Sequence, residues 1–221
     1  MFKRYIYIEG LTSLTNSDGK FSINIFGRVK DVYAEDIPTR KDEEGNLIVN
    51  VKSWDGVRDY RVIDLVAIHF KDLYIPKENY NDVIAFPMDG DKTNVHAKNI
   101  GYRFKNKIEV KEFPNFYHIP GFTKYAINEK GKVINLVKKQ QINWHVTKSD
   151  KKTNTKGGYF VGHYNSSSLK CTFSRHRALC LTFKEYPDTV DELVVNHING
   201  IPGNDFLDNL EWNTRGQNNT H

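Results

Sequence analysis

Residues 194 to 218 read VVNHINGIPGNDFLDNLEWNTRGQN. Val194 to His197 is the end of an apolar run suited to a strand, and Leu210, Glu211 and Trp212 form a second such run. Between them, Gly200 to Asp208 is rich in Gly, Pro, Asn and Asp, residues that favour turns, so the two runs are expected to pair around a polar loop. Thr214 has Gln217 three residues on, the spacing of a capping box, which predicts a short final helix. The segment therefore reads strand, loop, strand, helix.

The same plan recurs upstream. At an offset of 110, residues 84 to 108 (IAFPMDGDKTNVHAKNIGYRFKNKI) fall beside 194 to 218, with Gly90 on Gly200, Asn94 on Asn204 and Asn99 on Asn209. VIDLVAIHF (62 to 70) precedes the first copy and RHRALCLTF (175 to 183) the second. Ile63, Val66, Ala67 and Phe70, like His176, Leu179, Cys180 and Phe183, recur at helical spacing. Further upstream, FSINIFGRVKD (21 to 31) and YAINEKGKVIN (125 to 135) each read as strand, Gly turn and strand. The expected fold class is α+β, as two small tandem α+β units covering residues 1–110 and 111–221 and packed together.

Charge divides unevenly between them. Residues 1 to 110 carry 17 Lys/Arg against 17 Asp/Glu, and residues 111 to 221 carry 15 against 10, so the net +5 belongs to the second half. Within 121 to 180 the count is 12 basic against 2 acidic, interleaved with aromatic residues, which suits a surface facing a polyanion. With no CxxC among Cys171 and Cys180, neither a disulfide framework nor a structural zinc site is expected. No run of eighteen apolar residues and no signal-peptide pattern is seen, so the expectation is a soluble, intracellular protein without a membrane partner.

The motif around His197 resembles the HNH nucleases of the ββα-metal class, especially phage and intron homing endonucleases. Their pattern is similar to (D/N)HI(D/N)G, a polar loop, NLxW and a helical Asn. His197 stands 12 residues before Asn209 and 21 before Asn218, the intervals that branch uses. The resemblance implies that the second unit ends in a ββα-metal motif and is a metal-dependent endonuclease hydrolysing phosphodiester bonds in double-stranded DNA. It implies His197 as general base, because an imidazole accepts a proton near neutral pH. Asn209 would orient the loop and the His197 ring. Asn196 and Asn218 would offer carbonyl oxygens to a hard ion, Mg2+ or Mn2+. Many relatives carry Asp at the Asn196 position, which lowers the expected metal affinity.

Arg175 and Arg177, together with Lys138, Lys139, Lys148, Lys151 and Lys152, are expected to contact the DNA backbone. His176 reads as a core or boundary residue, Trp144 and Trp212 as core aromatics, and His221 as a disordered end. In the first half Phe86 and Pro87 replace Asn196 and His197, and Ile108 replaces Asn218, so the first unit reads as a degenerate copy without base or ligand. A catalytically silent scaffold that binds DNA or assembles with protein is the alternative, and a nuclease acting on RNA a third reading.

Overall fold

Helix α1 (Val62–Phe70) and helix α2 (Arg175–Phe183) form where apolar residues recur three and four apart, and each begins directly after a strand. In the computed structural model the residues described are 12–13, 20–53, 56–71, 73–148, 158–166, 169–187 and 193–218. They fall into two compact units, residues 1–105 and 106–221. Among the described residues no helix is long and apolar enough to cross a membrane.

In the first unit, one antiparallel sheet joins Thr12–Ser13, Phe21–Ile23 and Val29–Asp31, and another joins Thr39–Lys41, Leu47–Ser53 and Gly56–Arg61. Helix α1 buries Val62, Ile63, Val66 and Ala67 against Ile23, Val29, Val49, Ala85, Val95 and Ile100. The hairpin Val83–Pro87 with Ile100–Phe104 completes the unit. Gly27 turns the first hairpin at φ +77°, and a Cβ there would lie 2.6 Å from Val95 and 2.7 Å from Val62, so only glycine fits.

The second unit orders Gln140–Ile142, Val133–Asn135, Phe122–Ile127 and Tyr117–Ile119 in one sheet, and His145–Val146, Phe160–Ser166 and Leu169–Ser174 in another. Helix α2 buries Ala178, Leu179 and Cys180 against Ile119, Ile127, Val133, Phe173 and Leu210. Leu193–His197 pairs with Leu210–Thr214, and helix α3 (Arg215–Asn218) follows. The expected capping box is present: Gln217 N donates to Thr214 Oγ1 at 3.3 Å, and Thr214 N donates back to Gln217 Oε1 at 3.0 Å. Trp144 packs into this core and donates Nε1–H to Gly131 O at 2.6 Å.

Several local geometries repeat. The hairpins pair at one register, Val83↔Phe104 through Pro87↔Ile100 and Leu193↔Thr214 through His197↔Leu210, an offset of 110 at every pair. In the first loop Asn99 donates Nδ2–H to Asp89 Oδ1 (2.9 Å) and Asn94 O (2.8 Å) and accepts from Asp89 N (3.2 Å). In the second, Asn209 donates to Asn199 Oδ1 (3.1 Å) and Asn204 O (2.7 Å) and accepts from Asn199 N (3.1 Å). The Gly27 and Gly131 turns also correspond, with Asn24 O and Asn128 O accepting the glycine N–H at 3.0 and 2.8 Å.

The units differ at their ends. After Phe104 the chain enters no helix: Ile108 and Val110 pair with the segment 116–118 and are buried in the second unit. Packing divides the units between Lys105 and Asn106, and the apolar Ile108 and Val110 are buried.

Each loop depends on one asparagine for three hydrogen bonds to polar loop groups. Asn99→Ala and Asn209→Ala should each destabilise the protein by about 1–3 kcal/mol, read as a lower urea midpoint. An unchanged midpoint for either variant would show that water replaces the staple without loss.

Candidate active site

Side chains alternate along the strand Leu193–His197, so Asn196 and His197 point to opposite faces of the hairpin. The His197 side chain is only 6% exposed, and its Nε2–H donates to Asp205 Oδ1 at 2.7 Å. The Asp205 side chain is 1% exposed, and its other oxygen accepts from Arg175 Nε at 2.8 Å. Arg175, the first residue of α2, also donates to Gly203 O at 3.1 Å, and its Cζ sits over the Phe160 ring, 3.6 Å from the centroid. Gly203 lets the loop close on this group: a Cβ there would lie 2.6 Å from Gly158 O and 3.0 Å from the Phe160 ring.

Aromatic groups complete the surroundings of His197. The His176 ring meets it edge-on at 5.2 Å, and the Tyr159 ring lies 5.9 Å from His197 and 5.3 Å from His176. His176 Nε2 bonds Ser174 Oγ at 3.2 Å, while its Nδ1 is buried without a partner among the described residues. Burial, and after it the neighbouring His197, Arg177 and Arg175, push His176 down to about 4 against the opposing pull of Asp205. His176 is therefore a neutral ring at neutral pH.

Two places offer donor atoms to a divalent ion. His176, His197 and Asp205 bring ligand atoms within 4.8 Å of one another. Their donor types suit a transition metal. Both oxygens of Asp205 are already engaged, however, and a guanidinium lies 2.8 Å from one of them, a charge that opposes a dication. On the opposite face, Asn196 Nδ2 donates to Glu211 Oε1 at 2.8 Å, and Asn213 Nδ2 donates to the same oxygen at 3.2 Å. The Asn196 amide thus spends its nitrogen on Glu211 and retains its carbonyl oxygen as a donor for a hard ion beside a carboxylate. Asn218 lies in α3, and its side chain falls outside the described part.

The other expected residues separate into those the fold brings to the site and those it does not. Asn209 staples the loop and makes no bond to the His197 ring; Asp205 holds that ring instead, because the Asn209 amide is spent on Asn199 and Asn204. Arg175, expected on DNA, turns inward, its guanidinium taken by Asp205, Gly203 and Phe160. Arg177 is exposed, donates to Leu193 O at 3.3 Å and sits 5.7 Å over the Trp212 ring. Lys138, Lys139 and Lys148 are exposed, whereas Lys151, Lys152 and His221 lie outside the described residues.

Asp205, Glu211 and the placement of His176 were missed from sequence. An acid among Asn, Gly and Pro reads as an ordinary turn residue. The repeat held a signal: Asp205 falls on Val95 at the hairpin offset, and Arg175 falls on Val62 as first residue of its helix. Val62 and Val95 both press on Gly27, and Arg175 lies 3.0 Å from a Cβ built on Gly131. An apolar pair in one unit thus stands where an ion pair stands in the other.

An uncharacterized HNH endonuclease of Acanthamoeba polyphaga mimivirus is 32% identical over 124 residues, 54% of this chain and 27% of that protein. Over that stretch the chain is similar to an HNH endonuclease. It spans about a quarter of the length of that viral HNH protein, 27%. A solved structure of the HNH homing endonuclease I-HmuI is similar at 24% identity over 43% of this chain and 49% of that one, with a TM-score of 0.33. No family model matches the chain.

Because the fold holds His176 at about 4, below the ordinary imidazole value of 6.5, the unfolded chain binds the extra proton between those values. The His176 contribution to stability is therefore present above pH 6.5 and declines as pH falls toward 4. Urea midpoints should drop more steeply for the wild type than for His176→Phe over that window, and equal slopes would show that His176 does not couple protonation to folding.

Proposed function

We propose that the chain is a metal-dependent endonuclease that hydrolyses phosphodiester bonds in double-stranded DNA, with His197 accepting the proton of the attacking water. The observation that carries this reading is the His197 ring, oriented by a buried carboxylate at the end of a hairpin strand and next in the chain to Asn196, which pairs with Glu211. The sequence motif and the kinship to HNH endonucleases support the same reaction.

The chain's own residues divide the work by chemistry. His197 removes a proton from water, and Asn209 keeps the loop shape that the site needs. Asn196, with Asn218, would hold Mg2+ or Mn2+ through carbonyl oxygens, and Glu211 adds the negative charge that a neutral amide lacks. Such an ion supplies charge neutralisation at the phosphate when bound. Exposed Arg177, Lys138, Lys139 and Lys148, with Lys151 and Lys152 in the same basic stretch, supply attraction to the DNA backbone that weakens with salt. Arg175 belongs to the site interior and leaves the set of backbone contacts.

The first unit is read as a degenerate copy that keeps the scaffold without the chemistry. Supporting this are the shared hairpin register and asparagine staple, together with Pro87 in place of His197 and Phe86 in place of Asn196. A silent DNA-binding scaffold is the second reading for the whole chain, favoured by the near-complete burial of His197.

One assay separates the two. Supercoiled plasmid should be nicked or cut with Mg2+ or Mn2+ and left intact with a chelator, whereas the silent scaffold binds without cutting. His197→Ala should lose on the order of 10²-fold or more of the cleavage rate at nearly unchanged DNA affinity. Wild-type cutting by that variant sinks the assignment of the base. Asn196→Asp should keep or raise activity at limiting Mg2+, since a carboxylate replaces an amide at the ligand position; a raised metal requirement in this variant would place the ion elsewhere.

A further inference from the structure

We propose that Asp205 is the positioning residue for His197: by accepting the Nε2–H it selects the tautomer that leaves Nδ1 as the basic nitrogen, while Arg175 anchors the carboxylate. The inference rests on the nuclease reading above and names which nitrogen does the work. An ionised carboxylate only accepts hydrogen bonds, so the 2.7 Å contact of Asp205 Oδ1 with His197 Nε2 places the proton of a neutral ring on Nε2. The lone pair is then on Nδ1. Asp205 cannot turn away, since its second oxygen is held by Arg175 at 2.8 Å, and Arg175 is in turn fixed by Gly203 O and by the Phe160 face.

The ion pair is not a requirement of the scaffold. The first unit builds the same hairpin register, the same staple and the same glycine turn with Val62 and Val95 at the Arg175 and Asp205 positions. A buried ion pair is seldom more stabilising than apolar residues of similar volume. Folding alone therefore gives no reason to bury Arg175 and Asp205. They accompany the histidine: where Pro87 replaces His197, the ion pair is replaced too.

The proton balance follows from the tautomer. As the water oxygen bonds to phosphorus, its proton passes to His197 Nδ1, the P–O bond to the leaving oxygen breaks, and that oxygen takes a proton from solvent. The resulting imidazolium faces Asp205 through Nε2–H, and Asp205 stays ionised throughout. The Tyr159 and His176 rings pack against the His197 ring.

The test uses the full chain with 15N-labelled histidine rings. The His197 signals are identified by their loss in His197→Gln, at a pH well above the imidazole range. The wild type should show a protonated Nε2 and a bare Nδ1, a measurement that needs no variant of Asp205. Asp205→Asn introduces a donor as well as an acceptor, and should shift His197 toward the Nδ1–H tautomer. With plasmid DNA saturating, its cleavage rate should fall on the order of 10²-fold or more while DNA affinity holds. Asp205→Glu, which keeps an acceptor, should recover part of that rate. A wild-type ring protonated on Nδ1, or an Asp205→Asn protein that cuts at the wild-type rate, overturns the proposal. A wild type that shows the expected tautomer yet never cuts with Mg2+ or Mn2+ overturns the nuclease reading, and the catalytic role of Asp205 falls with it while the hydrogen bond stands.

Discussion

A carboxylate with 1% of its surface exposed must find hydrogen-bond donors, and Asp205 finds two, Arg175 on one oxygen and His197 on the other. Losing either partner leaves a buried charge unpaired, a penalty larger than the net worth of the pair. The loop from Ile198 to Asn209 is shaped around meeting this demand. Gly203 allows the close approach, Asn209 closes the loop on Asn199 and Asn204, and helix α2 delivers Arg175 from its first turn. The orientation of His197 is a consequence of this one buried acid.

The first unit has the same hairpin register and loop staple without that ion pair. Both hairpins pair at one register, both loops hang on an asparagine amide, and both glycine turns press on the first residue of a helix. The first fills the enclosed space with valines and the second with an arginine and an aspartate. Backbone geometry and core filling are separable because turn chemistry sets the hairpin, whereas the side chains behind it need only match the available volume and satisfy one another.

Charge is likewise sorted by depth. The exposed lysines of the second unit place positive charge at the surface, where its reach is about a Debye length. Below the surface the site balances Arg175 against Asp205 and keeps His176 neutral, with burial and then the neighbouring His197, Arg177 and Arg175 lowering its affinity for a proton. The opposite face of the hairpin carries an acid, Glu211, against the two amides of Asn196 and Asn213. A single strand pair thus separates a histidine with its counter-acid from an oxygen-rich face.

The sequence alone determined whatever depends on neighbours in the chain. Helical spacing, turn residues and the Thr214–Gln217 cap are local, and the helices, the glycine turns, the hairpin and the final capped turn stand where those patterns put them. Asn209 was legible as a loop staple for the same reason, its partners lying five and ten residues away. Tertiary structure decided the rest. Arg175 reaches Asp205 across 30 residues, and His118 N bonds Ile108 O across what the sequence suggested was a boundary. No periodicity marks Asp205 as buried, because a loop acid and a buried acid have the same local composition. Only the packing of helix α2 against the hairpin converts an arginine that suits DNA into the partner of an internal carboxylate, since burial and pairing are set by what the fold brings close and not by order along the chain.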